Sequence, residues 1–374
     1  MSTRIFRRRR ASSGRRNPAE STCIPLKKWY LMHGKKKTGS FIMKITVIGD
    51  GAWGTALAEQ LIGNGHEVVQ WGPFADYLDV MRETRENSRF LPGVKLDPRH
   101  RFEADPAKAA CGSSLWVAAA PTQYMRRVLE QFKPHFRPEK QIVLYVAKGI
   151  ENESWMRGDE LVTSIFGGCR FCVLSGPSHA EEVARQVPTA VTAASANPGC
   201  AEMVQQLLMN EHFRIYTSDD PIGVQLGGAI KNVMAIAAGI IDGMKLGDNT
   251  KAAMMTRAVA EMGRLGAALG GNAATFAGLA GLGDLIVTCC SRYSRNRRVG
   301  EELGRGRKLD EILQDMGMAV AEGVTTARGV CALANRTAKE VPISRQVYAI
   351  LYENLDPKRA LRNLMTRAAR SETE

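Results

Sequence analysis

Lys44-Ile-Thr-Val-Ile48 is apolar and rich in β-branched residues, as a buried parallel strand is, and it runs straight into Gly49-Asp50-Gly51-Ala52-Trp53-Gly54. Residues 55–62 continue at helical spacing as far as Gly63-Asn64-Gly65, and residues 67–71 read as a second strand. A strand, a Gly-x-Gly-x-x-Gly turn, a helix and another strand leave few folds open. They begin a doubly wound α/β sheet whose first turn binds a dinucleotide. Gly49 allows the tight turn, Gly51 lets the backbone approach a pyrophosphate, and Gly54 lets helix and strand pack closely. The helix N-terminus then offers free N–H groups and a positive dipole end to the anion.

Enzymes that take NAD usually carry an acid at the end of the second strand, where it binds the ribose 2′-hydroxyl. Here the strand ends in Trp71-Gly72-Pro73-Phe74-Ala75-Asp76. The expected place has no acid, Asp76 comes too late, and no Arg stands ready for a 2′-phosphate. The reading leans to NADPH and leaves NADH open. Further strands are expected at 114–119, 141–145 and 171–174, with helical stretches between them and the pattern continuing to about residue 195. Pro121 is expected to start a loop over the nicotinamide side of the cleft.

From about Gly223 apolar residues recur at helical spacing among many Ala and Gly, and helices are expected at 231–241, 252–269, 309–316, 325–336, 344–353 and 357–370. The fold class is therefore an N-terminal Rossmann-like doubly wound α/β domain followed by an all-α C-terminal domain. The expected divisions are a basic extension at 1–42, the dinucleotide-binding domain at 43–229, the helical substrate domain at 230–366 and a tail at 367–374, with the active-site cleft between the two domains.

The chain carries a net charge of +13, which invites a nucleic-acid or membrane reading. Residues 1–40 hold twelve Lys or Arg and the single acid Glu20, a net +11, which leaves +2 for the other 334 residues. The folded body therefore does not work through a global basic field. The extension has little to bury and should be disordered. It reads as a dispensable tail ahead of a start at Met43, as a targeting segment, or as an arm for polyanions. No run of 18 apolar residues exists, so no membrane span is expected. Eight irregularly spaced cysteines do not make a disulfide framework, and Cys169-Arg-Phe-Cys172 reads as small buried residues on a strand. A reducing, cytoplasmic setting fits.

Lys231 opens an otherwise apolar helix, where an ammonium without a purpose is costly. Gly278-Leu-Ala-Gly-Leu-Gly-Asp284 is glycine-rich and ends on an acid, and Ser294-Arg295-Asn296-Arg297-Arg298 places a guanidinium beside an amide donor, which suits a phosphate. Arg297 and Arg298 also read as a solvated face. No HxxxH or HxH spacing is present, so no metal is expected, and no Gly-x-Ser-x-Gly points to a serine nucleophile.

Taken in order, 47–58, Ala147-Lys148-Gly149-Ile150-Glu151, Ser175-Gly176-Pro177-Ser178, 223–232, Gly281-Leu-Gly-Asp284-Leu and Ser294 to Arg298 resemble bacterial-type glycerol-3-phosphate dehydrogenase over roughly residues 43–365. The resemblance implies an NAD(P)-dependent enzyme that interconverts dihydroxyacetone phosphate and sn-glycerol 3-phosphate for phospholipid synthesis, in the cytoplasm, with a homodimer expected. It implies Lys231 as proton donor to the carbonyl oxygen and acceptor in reverse. Lys148 then touches substrate and cofactor, and Asp284 orients Lys231 with Thr288 nearby. Arg295 and Asn296, following Ser294, hold the substrate phosphate, and Gly176 and Ser178 line the substrate site. At the cofactor it implies Gly49, Gly51, Ala52, Trp53, Gly54, Pro73, Lys148, Ala180, Arg295, Val320 and Glu322.

Three residues depart from the family pattern. Asp50 puts a negative charge inside the phosphate loop and is expected to point away from it. His179 stands where an apolar residue is more typical, and Pro73 where a polar residue is expected near the adenosine ribose. A free lysine is a poor base at neutral pH. Desolvation and Lys148 should lower the Lys231 pKa, with Asp284 opposing them. Two other readings stay open: a hydroxy-acid dehydrogenase of the same plan, since Arg also binds carboxylates, and a catalytically silent nicotinamide-binding protein, against which the intact Lys231, Lys148 and Asp284 set weighs. Nucleic-acid binding through the extension would show as salt-dependent affinity lost with residues 1–42.

Overall fold

The structure, a computed structural model, describes residues 35–37, 40–317 and 320–372. Its main sheet has strands β1 (Lys44–Ile48), β2 (Glu67–Trp71), β3 (Arg101–Glu103), β4 (Leu115–Ala118), β5 (Ile142–Tyr145), β6 (Arg170–Ser175), β7 (Thr189–Ala194) and β8 (Phe213–Ser218). They lie in the order β8-β7-β6-β5-β4-β1-β2-β3. The strands from β3 through β6 run parallel and wind outward in both directions from β1, so the chain reverses between β1 and β4. In such a sheet the crevice at that reversal, outside the strand C-termini, takes the ligand. Strand β7 pairs antiparallel with β6 and parallel with β8, which extends the sheet on the far side.

Alternation along the strands explains why both faces are covered. Ile45, Val47, Leu115, Val117 and Leu144 join one core, and Ile48, Trp116, Ala118, Val143 and Tyr145 join the core on the opposite face. Helix α1 (Ala52–Gly63) follows β1 directly, and α2 (Thr122–Phe132) follows β4.

A third core wraps α3 (Pro221–Gly243), around which α4 (Asp248–Ala268), α5 (Asp284–Cys290), α6 (Arg295–Gly304), α7 (Glu322–Arg336) and α8 (Pro342–Tyr352) pack. Helix α3 is long and apolar enough to cross a membrane, yet 94% of its apolar window is buried inside the fold, so it is a core helix. It begins ten residues before the expected start at 231, with Pro221 in its first turn and the Asp220 carboxylate accepting from Gly223 N at 2.8 Å. The expected division at 229/230 falls inside this unbroken helix.

Strands β3, β7 and β8 went unread for physical reasons. The first is only Arg-Phe-Glu, the second is made of Thr, Ala and a single Val, and the last alternates on a half-exposed edge. Helices α5 and α6 were hidden by a glycine-rich run and a charged run. The last helix, Pro357–Met365, stops short of the expected residue 370. Within the extension, Lys35–Lys37 and Ser40–Ile42 pair antiparallel; its other residues through residue 39, on which the expected disorder also falls, lie outside the described residues. Cys169 and Cys172 are free thiols at the start of β6, and burial pushes the Cys169 thiol up to about 12 and the Cys172 thiol well above its ordinary range.

Helices α3 and α6 meet backbone to backbone. A Cβ on Gly239 would lie 2.0 Å from the Arg297 carbonyl oxygen, and one on Gly300 would lie 2.0 Å from that of Ile236. Gly243 and Gly304, four residues further on in each helix, make the same kind of approach to Glu301 and Ile240. This closeness brings the first turn of α6 beside the middle of α3. Gly300→Ala is expected to cost about 1–3 kcal/mol by overpacking. Gly263→Ala in α4, where a Cβ meets nothing within 4 Å, should gain about 0.5–1 kcal/mol. Urea unfolding of the two variants measures the contrast; equal effects would contradict the close packing.

Candidate active site

Lys148 follows the C-terminal end of β5, Gly176 and Ser178 follow β6, Lys231 lies mid-way along α3, and Asp284 and Thr288 lie on α5. Asp284, 1% exposed, joins them. Its Oδ2 accepts from Lys148 Nζ at 2.7 Å, and its Oδ1 lies 3.0 Å from Lys231 Nζ. Two ammoniums face one carboxylate, so the cluster keeps a positive charge in excess.

The two lysines are not equivalent. An ammonium has three N–H donors. Lys148 donates to Asp284, to the Gly176 carbonyl at 2.8 Å and to Ser178 Oγ at 3.4 Å, which uses all three. The Gly176 carbonyl is aimed by a backbone φ of +144°. A Cβ at Gly176 would also lie 2.9 Å from Val191 Cα, so only glycine fits there. Lys231 pairs with Asp284 and donates to Thr288 Oγ1 at 2.7 Å. The Thr288 hydroxyl donates in turn to the Asp284 carbonyl at 2.6 Å, which leaves its oxygen lone pairs facing Lys231. Among the described residues, one N–H of Lys231 is uncommitted.

Burial pushes the Lys231 pKa down and the Lys148 charge adds to this, while Asp284 opposes both; the net is below the ordinary lysine value. Burial pushes the Asp284 carboxyl up, but the two ammoniums overcome it and hold it below the usual carboxylate range. His179 is pushed down to about 4, first by burial and then by Lys231 and Lys148, so its imidazole is neutral at pH 7. Its Nε2 is buried and has no partner among the described residues, and its ring lies 5.8 Å from that of Tyr293.

Asn232, which the sequence reading quoted but gave no role, links the cluster to α6 and α7. Its Nδ2 donates to the Lys148 carbonyl at 2.8 Å, and its Oδ1 accepts from Asn296 Nδ2 at 2.9 Å. Asn296 Oδ1 accepts from Gly323 N at 2.9 Å. Asn296 is thus part of a polar chain that sets the geometry, with one amide N–H left over among the described residues. Ser294 caps α6 through Arg297 N, and Arg295, in the first turn, is exposed with its guanidinium available to an anion. Glu322 Oε1 accepts from Thr122 N at 3.1 Å and Thr122 Oγ1 at 3.0 Å, which ties the start of α7 to the start of α2 just after Pro121. Thr122 was not among the expected site residues; its signal was its place after a strand and a proline. Val320 is half-buried just before α7.

At the switch between β1 and β4, a Cβ on Gly49 would lie 2.9 Å from the Ala119 and Ala120 backbone, and one on Gly54 would lie 2.7 Å from the Gly49 carbonyl. At Gly51, in contrast, nothing lies within 4 Å. Gly51 is the N-cap of α1 and has no side chain covering the first-turn N–H groups. The loop is thus closed on the protein side and open where a pyrophosphate approaches, which fits a dinucleotide. Ala52 begins α1, and the Trp53 ring packs edge-on to Phe213 at 6.5 Å. Pro73 is exposed just beyond β2, and Ala180 opens the short helix Ala180–Ala184. The Asp50 side chain lies against Gly72. Among the described residues, no three of His, Cys, Asp and Glu gather as metal ligands would.

Two family models match the chain: NAD-dependent glycerol-3-phosphate dehydrogenase N-terminus over residues 44–201 and C-terminus over residues 220–362. Similar proteins include the glycerol-3-phosphate dehydrogenase of Citrifermentans bemidjiense, 48% identical over 332 residues, which span 88% of this chain and 98% of the relative. That of Bacillus velezensis is 45% identical over 334 residues, 88% and 96% of the two chains. The crystal structure of glycerol-3-phosphate dehydrogenase from Coxiella burnetii superposes with a TM-score of 0.83 at 39% identity, covering 87% of this chain and 99% of that one.

Asp284→Asn leaves the buried Lys231 ammonium and the half-buried Lys148 ammonium without their shared countercharge and is expected to destabilise the fold by about 3–5 kcal/mol in denaturant unfolding near neutral pH. The loss should shrink as pH rises and Lys231 sheds its proton. A loss under about 1 kcal/mol, the range of an exposed pair, would contradict the reading of this cluster as a buried bridge.

Proposed function

The chain belongs to the NAD-dependent glycerol-3-phosphate dehydrogenase family, and we propose that the uncommitted N–H of Lys231 is the proton it delivers to the carbonyl oxygen of dihydroxyacetone phosphate. The enzyme reduces dihydroxyacetone phosphate to glycerol 3-phosphate with NAD(P)H, an oxidoreductase step of glycerolipid metabolism. Bound NAD(P)H supplies the hydride. The chain supplies everything around it. As charge gathers on the carbonyl oxygen, the excess positive charge of Lys148, Lys231 and Asp284 stabilises it without having to reorganise. Lys231 then gives up its proton, and its lowered pKa makes that transfer easier than from a free lysine. In the oxidation direction the neutral amine takes the hydroxyl proton back.

The observation that carries this assignment is the hydrogen-bond inventory: Lys148 is fully engaged and Lys231 is not. Lys148 is therefore assigned to hold the Gly176 and Ser178 loop and to raise the local potential. Arg295, with the spare amide N–H of Asn296, is assigned to the substrate phosphate, and that remote binding energy orients the ketone for the chemistry. Residues 44–218 form the nucleotide unit in this reading, and α3 onward the substrate unit. Lys231 provides both charge and proton, so the proposed chemistry calls for no metal. The same reading expects a cytoplasmic homodimer, which rests on the family resemblance alone.

The cofactor is NAD(P). The lean toward NADPH drew its support from the missing acid at the end of β2. The Asp50 carboxylate lies against Gly72 at that place and removes this support.

Lys231→Ala is expected to lower kcat for dihydroxyacetone phosphate reduction about 10²–10⁴-fold, with dinucleotide affinity unchanged. Steady-state oxidation of NADH and NADPH together with titration calorimetry reads both quantities. Activity within a few fold of wild type would remove Lys231 from proton transfer. A folded wild type that turns over neither cofactor would overturn the substrate reading.

A further inference from the structure

Asp50 stands between Gly49 and Gly51 of the phosphate loop, where its carbonyl accepts from Asn87 Nδ2 at 2.8 Å. Its side chain lies flat on Gly72, the first residue after β2. A Cβ added to Gly72 would sit 2.9 Å from Asp50 Oδ2 and 3.0 Å from Asp50 Cβ and Cγ, so the carboxylate occupies the space a side chain there would take. Asp50 Oδ2 is buried and has no hydrogen-bond partner among the described residues. A buried carboxylate oxygen without a donor is costly, so the fold holds this carboxylate against Gly72 at a cost.

The place itself says what the carboxylate can meet. In doubly wound sheets the end of the second strand meets the adenosine ribose, where an acid accepts from the 2′-hydroxyl and repels a 2′-phosphate. In this chain the strand continues into Gly72 and Pro73, and the acid arrives from the neighbouring phosphate loop instead. Gly72 is what admits it. The cation that faces Asp50 is Arg89, whose guanidinium stacks 4.0 Å over the Tyr77 ring. Burial pushes the Asp50 carboxyl upward, and its own backbone N–H and the Arg89 charge pull it back only in part.

We propose that Asp50 is the residue that selects the dinucleotide: its carboxylate, set beside Gly72 at the end of β2, takes the adenosine-ribose hydroxyl, its charge excludes a 2′-phosphate, and the enzyme prefers NADH to NADPH. This rests on the reading that a nicotinamide dinucleotide lies on the Gly49–Gly54 loop.

Dissociation constants of NADH and NADPH for the full chain, measured by titration calorimetry without substrate, test it. Wild type is expected to bind NADH about tenfold or more tighter, the range of a hydrogen bond to a charged group. Asp50→Ser should weaken NADH about tenfold and tighten NADPH, because Arg89 then meets the 2′-phosphate with no carboxylate beside it. Asp50→Asn keeps the shape and removes the charge, so it should move the ratio the same way even if the serine variant folds poorly. Gly72→Ala displaces the carboxylate without removing it and should also erode the preference. An unchanged ratio in both Asp50 variants, or a wild type that favours NADPH, overturns the role of Asp50 and leaves the dinucleotide reading standing. A wild type that binds neither overturns both.

Discussion

Asp284 shares one carboxylate between an ammonium from the sheet and an ammonium from the helical core, and the cleft depends on that sharing. Lys148 comes from the end of β5 and Lys231 from the middle of α3. Neither charge could be buried alone at tolerable cost. Together with Asp284 they hold the two halves of the chain in register and leave a net positive charge where an oxyanion has to form. The same balance tunes the acid. A lone buried lysine would lose its proton too readily, and one fully matched by a carboxylate would hold it too tightly. The second lysine sets the value between these limits.

That arrangement needs α3, α5, α6 and α7 to approach closely, and glycine is what allows it. Gly239 and Gly300 let α3 and α6 touch through their backbones. Gly323 lets the start of α7 approach Asn232, where an added Cβ would lie 2.4 Å from the Asn232 carbonyl oxygen. On this contact runs a chain of hydrogen bonds from the Lys148 carbonyl through Asn232 and Asn296 to Gly323. A displacement at the phosphate end therefore reaches the lysine cluster through short, directional bonds. The Glu322 to Thr122 contact makes a second tie, between α7 and the loop after β4.

The strand, turn and helix around Gly49, the order of the sheet up to β6, and the helical character of the second half were legible in the sequence, because each has a strong period or a turn with one physical solution. The cluster of Lys148, Lys231, Asp284 and Thr288 was legible only through the resemblance, since its members lie as far apart as residues 148 and 288 and no spacing rule joins them. The expected start of α3 came ten residues late; Gly223, Gly227 and Gly228, inside the helix, each mark a face pressed against a neighbour. Asn232 went unassigned because a buried amide in a helix declares nothing about its partners. For Asp50 the sequence carried only the expectation that its charge points away from the phosphate loop; the residue it lies against, Gly72, comes from the fold.

The pH dependence of kcat/KM for glycerol 3-phosphate oxidation tests most directly whether these three charges together set the proton-transfer group. The rate requires neutral Lys231, so it should rise with pH and level off at a midpoint below the ordinary lysine value of 10.5. In Lys148→Met the repulsion that helps lower this pKa is gone, and the midpoint of the residual activity should move upward. A midpoint at or above 10.5 in the wild type, or one that stays in place when Lys148 is removed, would contradict the coupling on which the site is built.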